Sequence, residues 1–171
     1  MSEHRRASLL ALHREVDLLA GGVAGQHSLH CRRGCSSCCV DELTVFEVEA
    51  DRIRDTFPDL LETGQPGPAG ACAFLDRDGA CRIYEARPYV CRTQGLPLRW
   101  FEEDDDEDEV VELRDICPLN AEEVAPETLD DEACWTIGPF EERLAALQEQ
   151  ADGGAMLRTP LRALFRATPS A

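Results

Sequence analysis

Leu9, Leu12, Val16 and Leu19 recur every three or four positions, so the pattern predicts an amphipathic helix over 3–20, with Gly21-Gly22 as its stop. Phe46, Ala50, Ile53 and Phe57 repeat that period behind Thr44-Val45-Phe46-Glu47, which has the form of a capping box, and ahead of Pro58. A second helix over about 45–57 follows from them, and it would present its positive end to the residues before it. Phe140, Leu144 and Leu147 mark a further helix over 139–151, and Thr159-Pro160 opens a last short one carrying Leu161, Leu164 and Phe165. The period changes to two at Leu96, Leu98 and Trp100, answered by Val111 and Leu113, which reads as a hairpin with the acidic run Glu102–Glu109 at its tip. A smaller hairpin is predicted where Cys72-Ala-Phe-Leu and Cys81-Arg-Ile-Tyr flank the turn Asp76-Arg77-Asp78-Gly79. Asp-x-Asp-Gly also opens calcium loops, but the later ligand positions are missing. Residues 64–70 are a turn-rich connector.

Between these elements lies Cys31-Arg32-Arg33-Gly34-Cys35-Ser36-Ser37-Cys38-Cys39, four of the nine cysteines in nine consecutive residues. Core packing does not call for that density. Thiolates bind soft and borderline metals, and a short loop that turns back on itself presents several sulfurs to one ion. The side chains of the adjacent pair Cys38 and Cys39 diverge in an extended backbone, so the pair could serve two neighbouring ions or a polynuclear cluster as easily as one zinc. Arginine directly follows Cys31, Cys81 and Cys91, where it could offset thiolate charge. His30 precedes Cys31 and offers a mixed Cys/His alternative, whereas pairing a cysteine nucleophile with His27 or His30 has only proximity behind it. His4 and His13, among charged residues of the first helix, read as surface histidines, and Cys134 as a small buried hydrophobe.

Composition narrows the function. The formal charge of −17 makes nucleic acid and anionic membrane poor partners. All 17 basic residues are arginine, which removes a Schiff-base, phosphate-loop or pyridoxal lysine. The run Glu102–Glu109 is most simply a solvated loop. Glu3, Glu15 and Asp17 interrupt the N-terminal apolar residues, so no signal peptide or membrane span is expected and the protein is read as cytoplasmic. Reducing conditions and an odd number of cysteines favour metal over disulfides. No nucleophile elbow, phosphate loop, His-Glu-x-x-His or dinucleotide turn competes with the cysteines.

The cysteine loop, Cys72-Ala-Phe-Leu, the stretch Gly79-Ala-Cys-Arg-Ile-Tyr-Glu-Ala-Arg-Pro-Tyr-Val-Cys-Arg92, and Cys117-Pro118 together resemble the bacterial YkgJ-like or CxxCxxCC cysteine-cluster proteins over roughly residues 31–118. Here three residues, not two, separate the first cysteines. The resemblance implies a zinc- or iron-chelating, or iron–sulfur, function and marks Cys31, Cys35, Cys38, Cys39, Cys72, Cys81, Cys91 and Cys117 as metal-site candidates. A larger relative with this type of cluster is a flagellin lysine methylase, so the module can belong to an enzyme.

The expected architecture is a small, helix-rich α+β domain over 1–171, with irregular cysteine-rich loops and one or two short β-hairpins around a metal centre. Its metal-binding core spans 31–118, between flanking helices at 1–22 and 139–167. The expected partner is a metal ion, held as an iron–sulfur cluster or zinc, with iron–sulfur slightly preferred because an adjacent cysteine pair is foreign to ordinary zinc ribbons. An enzyme using that centre for redox chemistry or protein modification is the alternative, and metal storage or delivery a second one. Two four-cysteine sites would use all eight sulfurs; a single four-iron cluster would use four.

Overall fold

The first amphipathic stripe becomes α1, Glu3–Ala24, begun by Ser2, whose hydroxyl accepts from Arg5 N at 3.4 Å in a computed structural model that describes residues 1–104 and 109–165. Leu9, Leu12, Val16 and Ala20 are buried, whereas Leu19 is 47% exposed and lies off the stripe. The helix also runs through Gly21-Gly22, contrary to expectation, and ends at Gly25. Val23 and Ala24 pack against the core, and their burial offsets the roughly 1 kcal/mol that each helical glycine costs. Over this face lie α4, Tyr89–Thr93, and α5, Pro139–Asp152, which supplies Leu144, Phe140 and Leu147 as expected. Trp135 completes this core and donates from Nε1 to Tyr89 Oη at 3.0 Å.

The expected helix over 45–57 is shorter. Thr44–Phe46 form β1, paired antiparallel with β5, Arg158–Pro160, and only then does α2 begin, Glu47–Thr56, followed by α3, Pro58–Thr63. No capping box forms: the Thr44 hydroxyl accepts from Arg158 Nε at 3.1 Å, and Glu47 pairs with Arg54 at 2.5 Å and accepts from the Thr159 hydroxyl. A long-range strand pair wins over the local cap, and it separates the start of α2 from the cysteine loop. Residues 161–164 likewise form a 3₁₀ turn after β5 instead of a last α-helix. The flanking segment expected over 139–167 is thus α5, a strand and this turn, with 166–167 outside the described residues.

The larger hairpin forms as expected from β2, Leu98–Asp104, and β3, Glu109–Asp115, with Trp100 opposite Leu113. Positions 105–108 of its acidic tip lie outside the described residues. A third strand, β4, Trp135–Thr136, adds in parallel to β2. The smaller hairpin reduces to one bridge, Leu75 with Cys81, closed by Asp76 Oδ1, which accepts from Asp78 N at 2.9 Å and Ala80 N at 2.8 Å. That carboxylate serves its own turn. The fold is α+β and helix-rich, with a two-stranded and a three-stranded sheet. No described helix is long and apolar enough to cross a membrane.

His13 departs most from its surface reading. It is 2% exposed, with Nε2 donating to Glu49 Oε1 at 2.9 Å and Nδ1 accepting from Arg52, partners that fix one neutral tautomer. Burial, then the nearby Arg92 and Arg52 charges, outweighs Glu49 and lowers its pKa below 6.5. The unfolded chain therefore takes up the proton first. His13 leaves stability intact above about pH 6.5 and subtracts up to about 1.4 kcal/mol per pH unit as pH falls from there towards its folded pKa. Denaturant melts between pH 7.5 and 5.5 should show that slope flattened in His13→Gln, which retains a donor and an acceptor but cannot titrate. An unchanged slope would assign the pH dependence to other groups.

Candidate metal centre

Two tight turns shape the first cysteine loop, Cys35 N donating to Arg32 O and Cys39 N to Ser36 O, both at 2.9 Å. Gly34 supplies a φ of +85° inside the first of them. Cys72 N then donates to Cys39 O at 3.0 Å, and Val40 bridges to Ala71, so the loop's end is stitched to the Cys72 segment. The Leu75–Cys81 bridge brings Cys81 to the same place, and Cys39 and Cys81 pack against the core cluster that contains Cys72. Cys91 sits on α4, which Glu49 anchors by accepting from Tyr89 N at 2.7 Å.

Cys31 and Cys117 belong to another neighbourhood. The fully buried Asn120 donates from Nδ2 to Gly95 O at 2.8 Å and to Cys31 Sγ at 3.6 Å, while its Oδ1 accepts from His30 N at 2.7 Å. Its own N–H donates to Cys117 O at 2.8 Å, so one side chain and its backbone tie both cysteine segments together. Ser37 Oγ lies 3.9 Å from Cys117 Sγ, and Cys38 and Cys117 line one cavity of about 350 Å³ with Val40, Leu96 and Ile116.

Electrostatics follows the same division. Burial pushes the Cys31 thiol up against the opposing Asn120 hydrogen bond, and the sulfur charges acting on it are those of Cys35, Cys117 and Cys38. Burial pushes Cys91 up to about 12, with Cys72 and Cys81 as its foremost charged neighbours, and also raises Cys72 and Cys81. The adjacent sulfurs shift one another in opposite directions, Cys38 downward and Cys39 upward, with burial and the Cys38 and Cys72 charges adding to the rise of Cys39. Among the described residues no three His, Cys, Asp or Glu side chains are set in metal-holding geometry. The donor set nevertheless suits zinc or iron: soft sulfur ligands drawn from separate loops.

The expected supporting arginines are only partly there. Arg87 and Arg82 oppose, without cancelling, the rise that burial gives Cys81, and Arg162 and Arg82 that of Cys72. Arg92 instead pairs with Asp17 at 2.5 Å, and its Nε and Nη2 are buried without a hydrogen-bond partner among the described residues. His30 pairs with Glu123 at 3.2 Å, and His27 Nε2 lies 2.8 Å from Ala133 O. Cys134 is buried apart from the others, with Arg114 Nη1 4.0 Å from its sulfur, as its reading as a hydrophobe expects. Three positioning residues escaped sequence reasoning. Asn120 and Gly95 seat Cys31, and Arg162 joins Asp41, beyond Cys39, to the carbonyls of Gly67, Pro68 and Ala71, ahead of Cys72, over 2.7–3.1 Å. Only the position of Asn120, three residues after Cys117, and of Gly95 in a turn before β2 could have hinted at them.

No curated protein and no solved structure gives a significant match to the chain. One family model does match, and it covers residues 30–118, just over half of the chain, including every cysteine except Cys134. Its description, "CxxCxxCC: Putative zinc- or iron-chelating domain", names the two metals that the gathered thiols suit. The chain belongs to the CxxCxxCC family.

Proposed function

We propose that this protein binds metal through the thiolates of Cys31, Cys35, Cys38, Cys39, Cys72, Cys81, Cys91 and Cys117, as an iron–sulfur protein in preference to a zinc protein. The observation that carries the reading is the gathering of cysteines from separate segments by backbone bonds and bridges, Cys72 N to Cys39 O and Leu75 to Cys81 among them. All nine cysteines are free thiols. The preference for iron rests on spacing: the adjacent pair Cys38-Cys39 does not make the separated Cys-x-x-Cys knuckles of a zinc ribbon. When bound, the metal would join loops that otherwise have little regular structure, and a cluster would add electron transfer. Asn120, through its N–H···S contact with Cys31, is the kind of donor that tunes a cluster's potential.

The test is protein purified without oxygen and assayed for metal, acid-labile sulfide and visible absorption. Iron with sulfide and a broad visible band is the expected result. A colourless protein carrying zinc would overturn the preference for iron, and paired thiols without metal would overturn the reading itself.

A further inference from the structure

The eight candidate sulfurs do not form one group. We infer that the chain builds two separate four-thiolate sites whose boundary falls between the adjacent residues Cys38 and Cys39: an outer site of Cys31, Cys35, Cys38 and Cys117, and an inner site of Cys39, Cys72, Cys81 and Cys91. This rests on the proposed metal-binding function and assigns the sulfurs within it.

The outer four come from the first loop and the turn after β3. Asn120 holds the ends of this set by reaching Cys31 Sγ and the Cys117 carbonyl, Ser37 Oγ touches Cys117 Sγ, and Cys38 shares the cavity wall with Cys117. The inner four come from the loop's last residue, the small bridge and α4. Cys39 and Cys72 are joined by a backbone hydrogen bond, and Cys39 and Cys81 pack on the apolar cluster around Cys72. Cys91 closes the group from α4, with Cys72 and Cys81 its foremost charged neighbours. Cys38 faces the cavity it shares with Cys117, whereas Cys39 leaves the turn for the Val40–Ala71 bridge and is held to the Cys72 segment, so the chain passes from one set to the other between these two residues. The Cys38 sulfur acts on Cys39 and Cys91 as well as on Cys31, so the two sets meet electrostatically at Cys38. The extremes of access fall in different sets: Cys31 is exposed and Cys72 buried, the other six are half-buried, and of these Cys38 and Cys117 face a cavity.

Access and membership together give a test on the whole chain. Reduced protein is loaded with Zn(II), and in parallel with iron and sulfide without oxygen; it is then challenged with a chelator and N-ethylmaleimide, and each cysteine's modification is followed by peptide mass spectrometry. Protection should be lost in two phases, Cys31, Cys35, Cys38 and Cys117 together and first, Cys39, Cys72, Cys81 and Cys91 together and later. Cys35→Ser should expose the other outer sulfurs and leave the inner four protected. Should that variant fold poorly, the wild-type time course decides alone. Simultaneous release of all eight, or Cys38 and Cys39 in one phase, would overturn the division while leaving metal binding intact. Absence of protection with either metal would overturn metal binding itself.

Discussion

Glu49→Ala is expected to destabilise the protein by about 3–5 kcal/mol, the range found when one partner of a buried charged network is removed. Glu49 is 4% exposed, and its Oε1 accepts from both His13 Nε2 at 2.9 Å and Tyr89 N at 2.7 Å. Alanine would leave those two donors unsatisfied, each costing about 1–3 kcal/mol in a buried position. It would also remove a negative charge that acts on Arg52, which is buried and repelled by the equally buried Arg92. Asp17, paired with Arg92 at 2.5 Å but 43% exposed, would be a poor replacement. For a chain of 171 residues the expected fall in Tm is roughly 10 °C. Glu49→Gln keeps an acceptor and loses the charge, so it should fall between the two proteins. Thermal melts of the three check this; an alanine variant melting within about 1 °C of wild type would show that the network contributes little. Because Tyr89 opens the helix that carries Cys91, the same variant should also weaken metal retention at the inner sulfurs.

The residues of that network mark where sequence reading stops. The spacing of Leu9, Leu12 and Val16 was readable because period alone fixes which side of a helix is buried, and the alternation of Leu98 and Trp100 because it marks an extended strand. The burial of His13 was not, since it depends on Glu49 and Arg52 arriving from another helix. β1 and β5 were missed for a related reason: three-residue strands paired across more than a hundred positions leave no local period, and Thr44-x-x-Glu47 offered a convincing cap instead. The cysteines themselves were conspicuous by density. Their neighbours were not, because which sulfur lies beside which depends on turns whose closing residues, Asn120 and Arg162, carry no motif.

Gly95→Ala is expected to abolish metal retention at the outer sulfurs while the fold survives. At φ +90° an alanine would be strained by about 1–2 kcal/mol, and its Cβ would stand 2.4 Å from Cys31 Sγ, far inside contact distance. Cys31 is exposed, so its side chain can swing away and relieve the clash. That movement takes the sulfur off the Asn120 amide and out of reach of Cys35, Cys38 and Cys117, and three thiolates remain where four are needed for a closed site. Backbone strain by itself is controlled by Gly70→Ala, which has nearly the same φ of +87° but nothing within 4 Å of the new Cβ. Both variants should melt a few degrees below wild type, whereas only Gly95→Ala should lose bound Zn(II) to a chelator and expose Cys31, Cys38 and Cys117 to alkylation. Equal metal content in the two variants would mean that Cys31 is dispensable, and the seat built by Gly95 and Asn120 would then serve only the packing of the loop.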